Sequence, residues 1–346
     1  MTRLNSFERM FFKLNLAPPP IADIISGAAH RCVSLAIKLG VFENLKGGPL
    51  TADEIAHRLG ANVQGIGSLL SLLNDFGYVR KSDRRYSNTR TTAKWLLKDS
   101  PSNLSNYVSM WNDLAFRFWD QYLERAIVDG KPPLSLYQWC SKQPKSSNDF
   151  QEAMMDLARL CSNEVVSKVR IHPNAKKLLD IGGGHGLYSV GFCRRYHQLS
   201  GTIIDQPVAL EAAHRNIKEN GLEDRIGIRP GNYLVNQFDS EYDIALLFNV
   251  IHAHSPMENI ELLQKVAAAV VKGGLVAIME IFHGSNSRTM ESFANLLDFA
   301  FFASFGGQIY QLAKIQEWLA SAGFVNVAVS NLKSAPGAKL IIGTKA

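Results

Sequence analysis

The chain has 346 residues, of which 46% are hydrophobic, and a formal charge of +6. That length suggests about two domains with substantial cores, and so modest a basic excess admits an acidic ligand without demanding nucleic acid. Four scattered cysteines without a CxxC pair argue against a zinc ribbon. With no roughly 7–15-residue apolar core for a signal peptide and no run near ~20 apolar residues, they point to a soluble, cytoplasmic chain.

Residues 20–165 read as almost wholly helical, with one short hairpin. "ADIISGAAHRCVSLAIKLGVFENL" (22–45) carries more apolar residues than one helix face can bury within the chain, which predicts a homodimer built mainly by residues 1–100. "LTADEIAHRLG" (50–60) has Thr51 as N-cap and Glu54 three residues on, a capping-box pattern. "VQGIGSLLSLLNDFG" (63–77) reads as a second helix, and "YVRKSDRRYSNT" as two strands around a polar turn. Helix, helix, hairpin is the outline of a winged helix-turn-helix. A groove-reading helix needs basic or amide groups on its exposed face, yet no Lys or Arg occurs between Ala61 and Val79. A structural module is therefore expected rather than DNA binding. A regulator sensing a small ligand is the alternative from a different class.

From residue 176 onward, apolar strands alternate with amphipathic helices, which predicts parallel βαβ units. "KKLLDIGGGHGLYSVGFCRRY" (176–196) runs from a strand through Gly182, Gly184 and Gly186 into a helix, bringing backbone N–H groups and a helix start close to a ligand. Leu187 breaks the dinucleotide pattern GxGxxG, GxGxG fits, and no GK[ST] of a P-loop follows. The next strand, "GTIIDQP", ends at Asp205, where a carboxylate can hold both ribose hydroxyls. The third, "RIGIRPGNYL", ends at Asn232 and Tyr233, suited to an adenine edge and face. Any one of these alone reads as a turn residue; all three at successive strand ends point to a nucleoside site.

Together, "LLDIGGGHG", "IIDQP", "PGNY", "FNVIHAHS" and "GGLVAIMEI", preceded by the helical winged region, resemble the dimeric, plant-type S-adenosylmethionine (SAM)-dependent O-methyltransferases, from about residue 20 to 346. The resemblance implies a class I Rossmann-like sheet over 166–346 and a winged-helix dimerisation and lid domain over 1–165. It further implies a cofactor site of Asp180, Gly182, Gly184, Gly186, Asp205, Gln206, Asn232, Tyr233 and Asn249. The family usually has Asp at the position of Asn232.

"LLFNVIHAHSPMENI" (246–260) places His252 just past a strand. In the family an HDW motif stands here, and its His takes the proton of the acceptor hydroxyl; Ala253 and His254 replace its Asp and Trp. A neutral imidazole suits that task, because a phenol is mostly protonated at neutral pH. Glu280 matches one of two acids that flank the family's base. Ile309 stands where the second is expected, and Tyr310 is the candidate substitute hydrogen-bonding group. His254 is read as a loop neighbour. His252, His254, Glu280 and His283 offer N/O ligands, but their spacing matches no established metal motif, and no metal is expected. Two aromatic-rich stretches, 107–122 and 292–307, supply acceptor-pocket candidates: Met110, Trp111, Phe116, Phe293, Leu297, Phe301 and Phe302, with Met154 beside the cofactor. Core packing is the plainer account of any single one of them. Collectively they imply a small aromatic acceptor for O-methylation, without nucleic-acid or membrane partners. C-methylation, or a SAM-binding relative that no longer methylates, are the alternatives.

Overall fold

A computed structural model describes residues 18–346 together with Met10, Leu14 and Leu16. The remainder of residues 1–17, which the expected dimerisation region includes, lies outside the described residues. By contacts the chain divides into two compact units, 1–116 and 117–346. The expected change of pattern at 165/166 falls at the end of a helix that belongs wholly to the second unit.

The first unit opens with α1 (Pro19–Leu39), stopped by Gly40 in the left-handed region (φ 76°). α2 (Ala52–Leu59) carries the expected capping box: the Thr51 hydroxyl accepts from the Glu54 N–H at 3.2 Å, and the Thr51 N–H donates to the Glu54 carboxylate at 2.7 Å. α3 (Val63–Asp75) follows. β1 (Leu50–Thr51), β2 (Val79–Ser82) and β3 (Arg85–Asn88) form a small antiparallel sheet in the order β1-β3-β2, which completes the winged-helix outline. Val33, Ala36, Phe42, Ile55, Leu70 and Leu73 fill its core. α4 (Ser105–Asp113) closes the unit against α1. On α1 the opposite side remains exposed: Ile21, Ile24, Leu35 and Leu39 are 51%, 71%, 45% and 38% accessible. One helix face is thus packed, and a second apolar face is free to meet a partner.

The second unit begins with three helices, α5 (Trp119–Asp129), α6 (Leu136–Ser141) and α7 (Pro144–Lys168). β4 (Lys177–Ile181), β5 (Ser200–Asp205), β6 (Ile226–Pro230), β7 (Tyr242–Phe248), β8 (Val270–Ile281), β9 (Phe324–Asn331) and β10 (Ala338–Lys345) form one sheet in the order β6-β5-β4-β7-β8-β10-β9. All neighbours are parallel except β10, which pairs antiparallel with β8 and β9. Successive residues enter opposite cores: Leu178, Ile203 and Leu246 one, Leu179, Ile204 and Leu247 the other. A sheet buried on both faces requires such continuous apolar strands. The strand order reverses at β4, and in an open α/β sheet the crevice at that reversal, outside the strands' carboxyl ends, is where ligands bind. Among the described residues no helix is long and apolar enough to cross a membrane.

Candidate active site

The crevice is built from the four turns that leave β4, β5, β6 and β7. After β4, Gly182, Gly184 and Gly186 have φ of +66°, +41° and +72°, a conformation that L side chains rarely adopt. A Cβ on Gly182 would stand 2.9 Å from Val250 Cγ2 and 3.6 Å from Tyr233 Cε1. One on Gly183 would meet the Asp180 carboxyl carbon at 2.6 Å. The turn therefore presents bare backbone, and the helix after it, α8 (Leu187–Arg195), starts at Gly186.

Two carboxylates support this turn. Asp180 is buried and accepts from the Ser189 hydroxyl at 2.7 Å. Burial, with the Asp205 charge in addition, pushes its carboxyl up to about 7. Asp205 accepts the Gly184 N–H at 2.9 Å on one oxygen and the Gln206 N–H at 2.7 Å on the other. Burial still raises it to about 6, against the lowering effect of those bonds. Each Asp205 oxygen keeps a second lone pair for a hydroxyl donor. A buried and a half-buried carboxylate with raised proton affinity, beside bare backbone, fit a ligand that brings hydroxyls and positive charge, as SAM does.

On the third turn the expected adenine residues are arranged differently from each other. The Asn232 side chain accepts the Leu234 N–H at 2.9 Å, an Asx turn, so its oxygen serves its own loop. The Tyr233 hydroxyl lies 2.8 Å from His254 Nε2. Asn249, at the end of β7, has φ of +57° and donates its N–H to the Met279 carbonyl, which lifts its side chain out of the ladder.

The histidine turn follows directly. His252 lies on a short 3₁₀ turn, Ile251–Ala253, and is 8% exposed. Its Nδ1 is 2.8 Å from Glu280 Oε2, and Glu280 Oε1 accepts the Ile251 N–H at 2.7 Å. Glu280 is 3% exposed at the end of β8, alongside β7. An ionised carboxylate only accepts, so the proton of a neutral His252 sits on Nδ1 and Nε2 keeps its lone pair. Phe301 of α11 (Arg288–Phe305) stacks on the imidazole, 3.8 Å between centroids and 13° between planes. The His252 carbonyl accepts the Gln308 N–H at 3.0 Å, and a Cβ on Gly307 would fall 1.9 Å from that oxygen. Gly307→Ala must therefore displace the His252 peptide. Overpacking of this kind costs about 1–3 kcal/mol, and thermal unfolding is expected to show Tm several degrees lower; an unchanged Tm would refute this packing.

Tyr310 departs from expectation. Its hydroxyl donates to the His254 carbonyl at 2.6 Å, not to His252, because the turn after α11 directs it toward the start of the helix that begins at Pro256. Nor does another acid take the missing position: Asp298 accepts the Ile309 N–H and lies 3.9 Å from His283 Nε2. His283 pairs with Glu291 at 3.2 Å, and among the described residues no group of three or more His, Cys, Asp or Glu is placed to hold a metal ion.

Phe293, Leu297 and Phe301 recur every four residues and share one face of α11. All three are half-buried. Phe305 continues the stripe and stacks on Tyr137 of α6, 4.7 Å between centroids. Sequence reasoning missed Tyr137, for no motif marks it. Burial pushes its phenol up, reinforced by the charges of Asp205, Cys140 and Glu280, which places it near both carboxylates of the crevice. Gln151 of α7 was missed likewise; a Cβ on Gly184 would lie 3.3 Å from its amide oxygen. Met154, on the same helix, is half-buried. Met110 and Trp111 lie on α4 of the first unit, buried and half-buried, and the exposed Phe116 there stacks on His30.

An O-methyltransferase domain model matches residues 118–325, and an O-methyltransferase dimerisation domain model matches residues 23–99. The chain belongs to the O-methyltransferase family: it is a methyltransferase that uses S-adenosylmethionine, on a class I fold with a helical dimerisation domain. Among curated proteins it is similar to the 3-hydroxy-5-methyl-1-naphthoate 3-O-methyltransferase of Streptomyces sahachiroi, 27% identical over 95% of this chain and 96% of that one. It is also similar to the L-tyrosine C(3)-methyltransferase of Streptomyces lavendulae, 26% identical over 88% and 86%. The solved structure of the mitomycin 7-O-methyltransferase MmcR superposes with a TM-score of 0.82 at 22% identity, covering 95% of this chain and 97% of that one.

Proposed function

We propose that this chain is a homodimeric, cytoplasmic enzyme that methylates a hydroxyl on a small aromatic natural product, with His252 as general base. One observation carries the reading: a buried His–Glu pair at the ends of β7 and β8, its Nε2 free, beside a glycine turn whose bare backbone a ligand can approach closely. The relatives' aromatic acceptors support the substrate class. Residues 1–165 then serve dimerisation, and residues 166–346 bind the cofactor.

When bound, SAM supplies a methyl group on a sulfonium, a strong electrophile that needs no Lewis acid. Gly182, Gly184 and Gly186, with Asp180 behind them, hold its methionine part, and Asp205 with Gln206 the ribose. Tyr233, Asn232 and Asn249 bound the adenine side. Tyr137 and Met154 lie between cofactor and acceptor, and Phe293, Leu297 and Phe301 give the acceptor a flat apolar wall, joined by Tyr310. His252 Nε2 takes the acceptor proton as the oxygen attacks, and Glu280 stabilises the imidazolium that results. Incubation with isotopically labelled SAM and a panel of phenolic naphthoates and quinones is expected to label an oxygen. Labelled carbon would favour the second reading, C-methylation, which one observation supports: apolar Ile309, its N–H tied to Asp298, stands where the family's second acid belongs.

The dimer follows from the dimerisation domain and the uncovered apolar face of α1. Light scattering at micromolar concentration is expected to give twice the 38.3 kDa chain mass. A single-chain mass would refute it.

A further inference from the structure

His254 was expected to be a bystander two residues past the base. Its surroundings are those of a clamp. The imidazole Nε2 lies 2.8 Å from the Tyr233 hydroxyl, with the rings edge to face at 5.5 Å. The His254 carbonyl accepts two further bonds, from the Tyr310 hydroxyl at 2.6 Å and from Asn259 Nδ2 at 3.2 Å. Asn259 Nδ2 also donates to the Ile251 carbonyl at 3.0 Å, within the turn that carries His252. On the other side, Lys265 Nζ of α10 (Pro256–Ala269) donates to the Tyr233 carbonyl at 2.7 Å. Tyr233 is thus held at its hydroxyl and at its carbonyl by the element that follows the base.

The donor is identifiable. Burial, followed by the charges of Tyr137, Asp205, Glu280 and Glu258, keeps the Tyr233 phenol protonated. Burial lowers the His254 imidazole, which keeps it neutral and able to accept. The Tyr233 hydroxyl therefore donates to Nε2, and His254 carries its own proton on Nδ1. Neither Ala nor Leu at 254 offers an acceptor there.

We propose that His254 is a positioning residue: it fixes the Tyr233 ring against the glycine turn and so ties cofactor affinity to the turn that bears His252. The ring it fixes is the one a Cβ on Gly182 would approach to 3.6 Å, so a loose Tyr233 changes the wall of the crevice itself. The proposal rests on the reading of Tyr233 as part of the SAM site.

The test is calorimetric titration of S-adenosylhomocysteine into full-length His254→Leu, His254→Gln, Tyr233→Phe and the double variant His254→Leu/Tyr233→Phe. A neutral hydrogen bond is worth about 0.5–1.5 kcal/mol, a change of roughly two- to tenfold. His254→Leu and Tyr233→Phe are each expected to raise Kd by about that factor, and the double variant no further, because both remove one bond. His254→Gln, whose amide oxygen can accept from the phenol, is expected to recover most of the loss. In turnover, His254→Leu is expected to raise KM for SAM more than it lowers kcat. Multiplying losses in the double variant, or no recovery by Gln, would overturn the clamp. Asp205→Ala serves as the separate control: if that variant binds normally, the location of the cofactor site is wrong rather than the role of His254.

Discussion

His252→Ala is expected to lower kcat by about 10²-fold or more while leaving affinity for S-adenosylhomocysteine nearly intact. The imidazole removed is the one basic group whose geometry frees a lone pair in the crevice: Nδ1 is committed to Glu280 at 2.8 Å, and Phe301 holds the ring plane. Because a phenol ionises near pH 10, the deficit should shrink as pH rises toward that value or when a more acidic acceptor is supplied. Glu280→Gln should produce a smaller loss in the same direction. Its amide can accept from one of Nδ1–H and Ile251 N–H but not both, so one buried donor is left facing an NH₂ group. Full activity in His252→Ala across the pH range would remove the base assignment and point to a carbon nucleophile.

Asp205→Ala is expected to weaken SAM binding by about 10²-fold or more, since it removes charge-assisted bonds to two ribose hydroxyls and the anchor of the Gly184 N–H at once. The same carboxylate gives binding a pH dependence whose sign can be worked out. Asp205 and Asp180 are raised to about 6 and about 7, so in the ligand-free fold both are mainly protonated only below those values. Their burial costs nothing below the usual carboxylate range, near pH 4. The cost to stability grows as pH rises from about 4 and is complete once pH passes about 6 for Asp205 and about 7 for Asp180. A cationic ligand favours the ionised pair, so binding should release protons and tighten as pH rises across the same window. Calorimetry in buffers of differing ionisation enthalpy measures that release. Binding that does not vary between pH 5.5 and 7.5 would refute the contribution of these two carboxylates.

Much of this was legible before any coordinates. The capping box at Thr51, the hairpin and the uninterrupted apolar strands each follow from local chemistry, and local chemistry is what a sequence displays. The parallel units and the meeting of His252 with Glu280 followed from strand ends, because parallel strands carry their turns to one edge. Tyr137 and Gln151 were hidden for the opposite reason. They reach the crevice from helices that precede the sheet by tens of residues, and neither has a spacing that announces it. The hydrogen-bond partners of Tyr310 and His254 were hidden on a finer scale. Each lies within a few residues of where its role was sought, but hydrogen-bond partners depend on which way a turn directs a side chain, and no pattern of residue types encodes that. Asn232 shows the same limit: a residue that reads as a ligand group spends its oxygen on its own loop.

The stripe along α11 has a consequence for how such an enzyme changes its substrate. Phe301, at one end, is pressed against the His252 imidazole, while Phe293 lies two turns away on the same face. The helix therefore carries a gradient of freedom. Exchanges at 293 reshape the far wall with the proton-transfer group undisturbed, those at 297 act on both weakly, and those at 301 unseat the imidazole. New acceptors are most readily gained from the distal end inward, and a mutational library that respects this order should return active variants far more often than one that treats the wall as uniform.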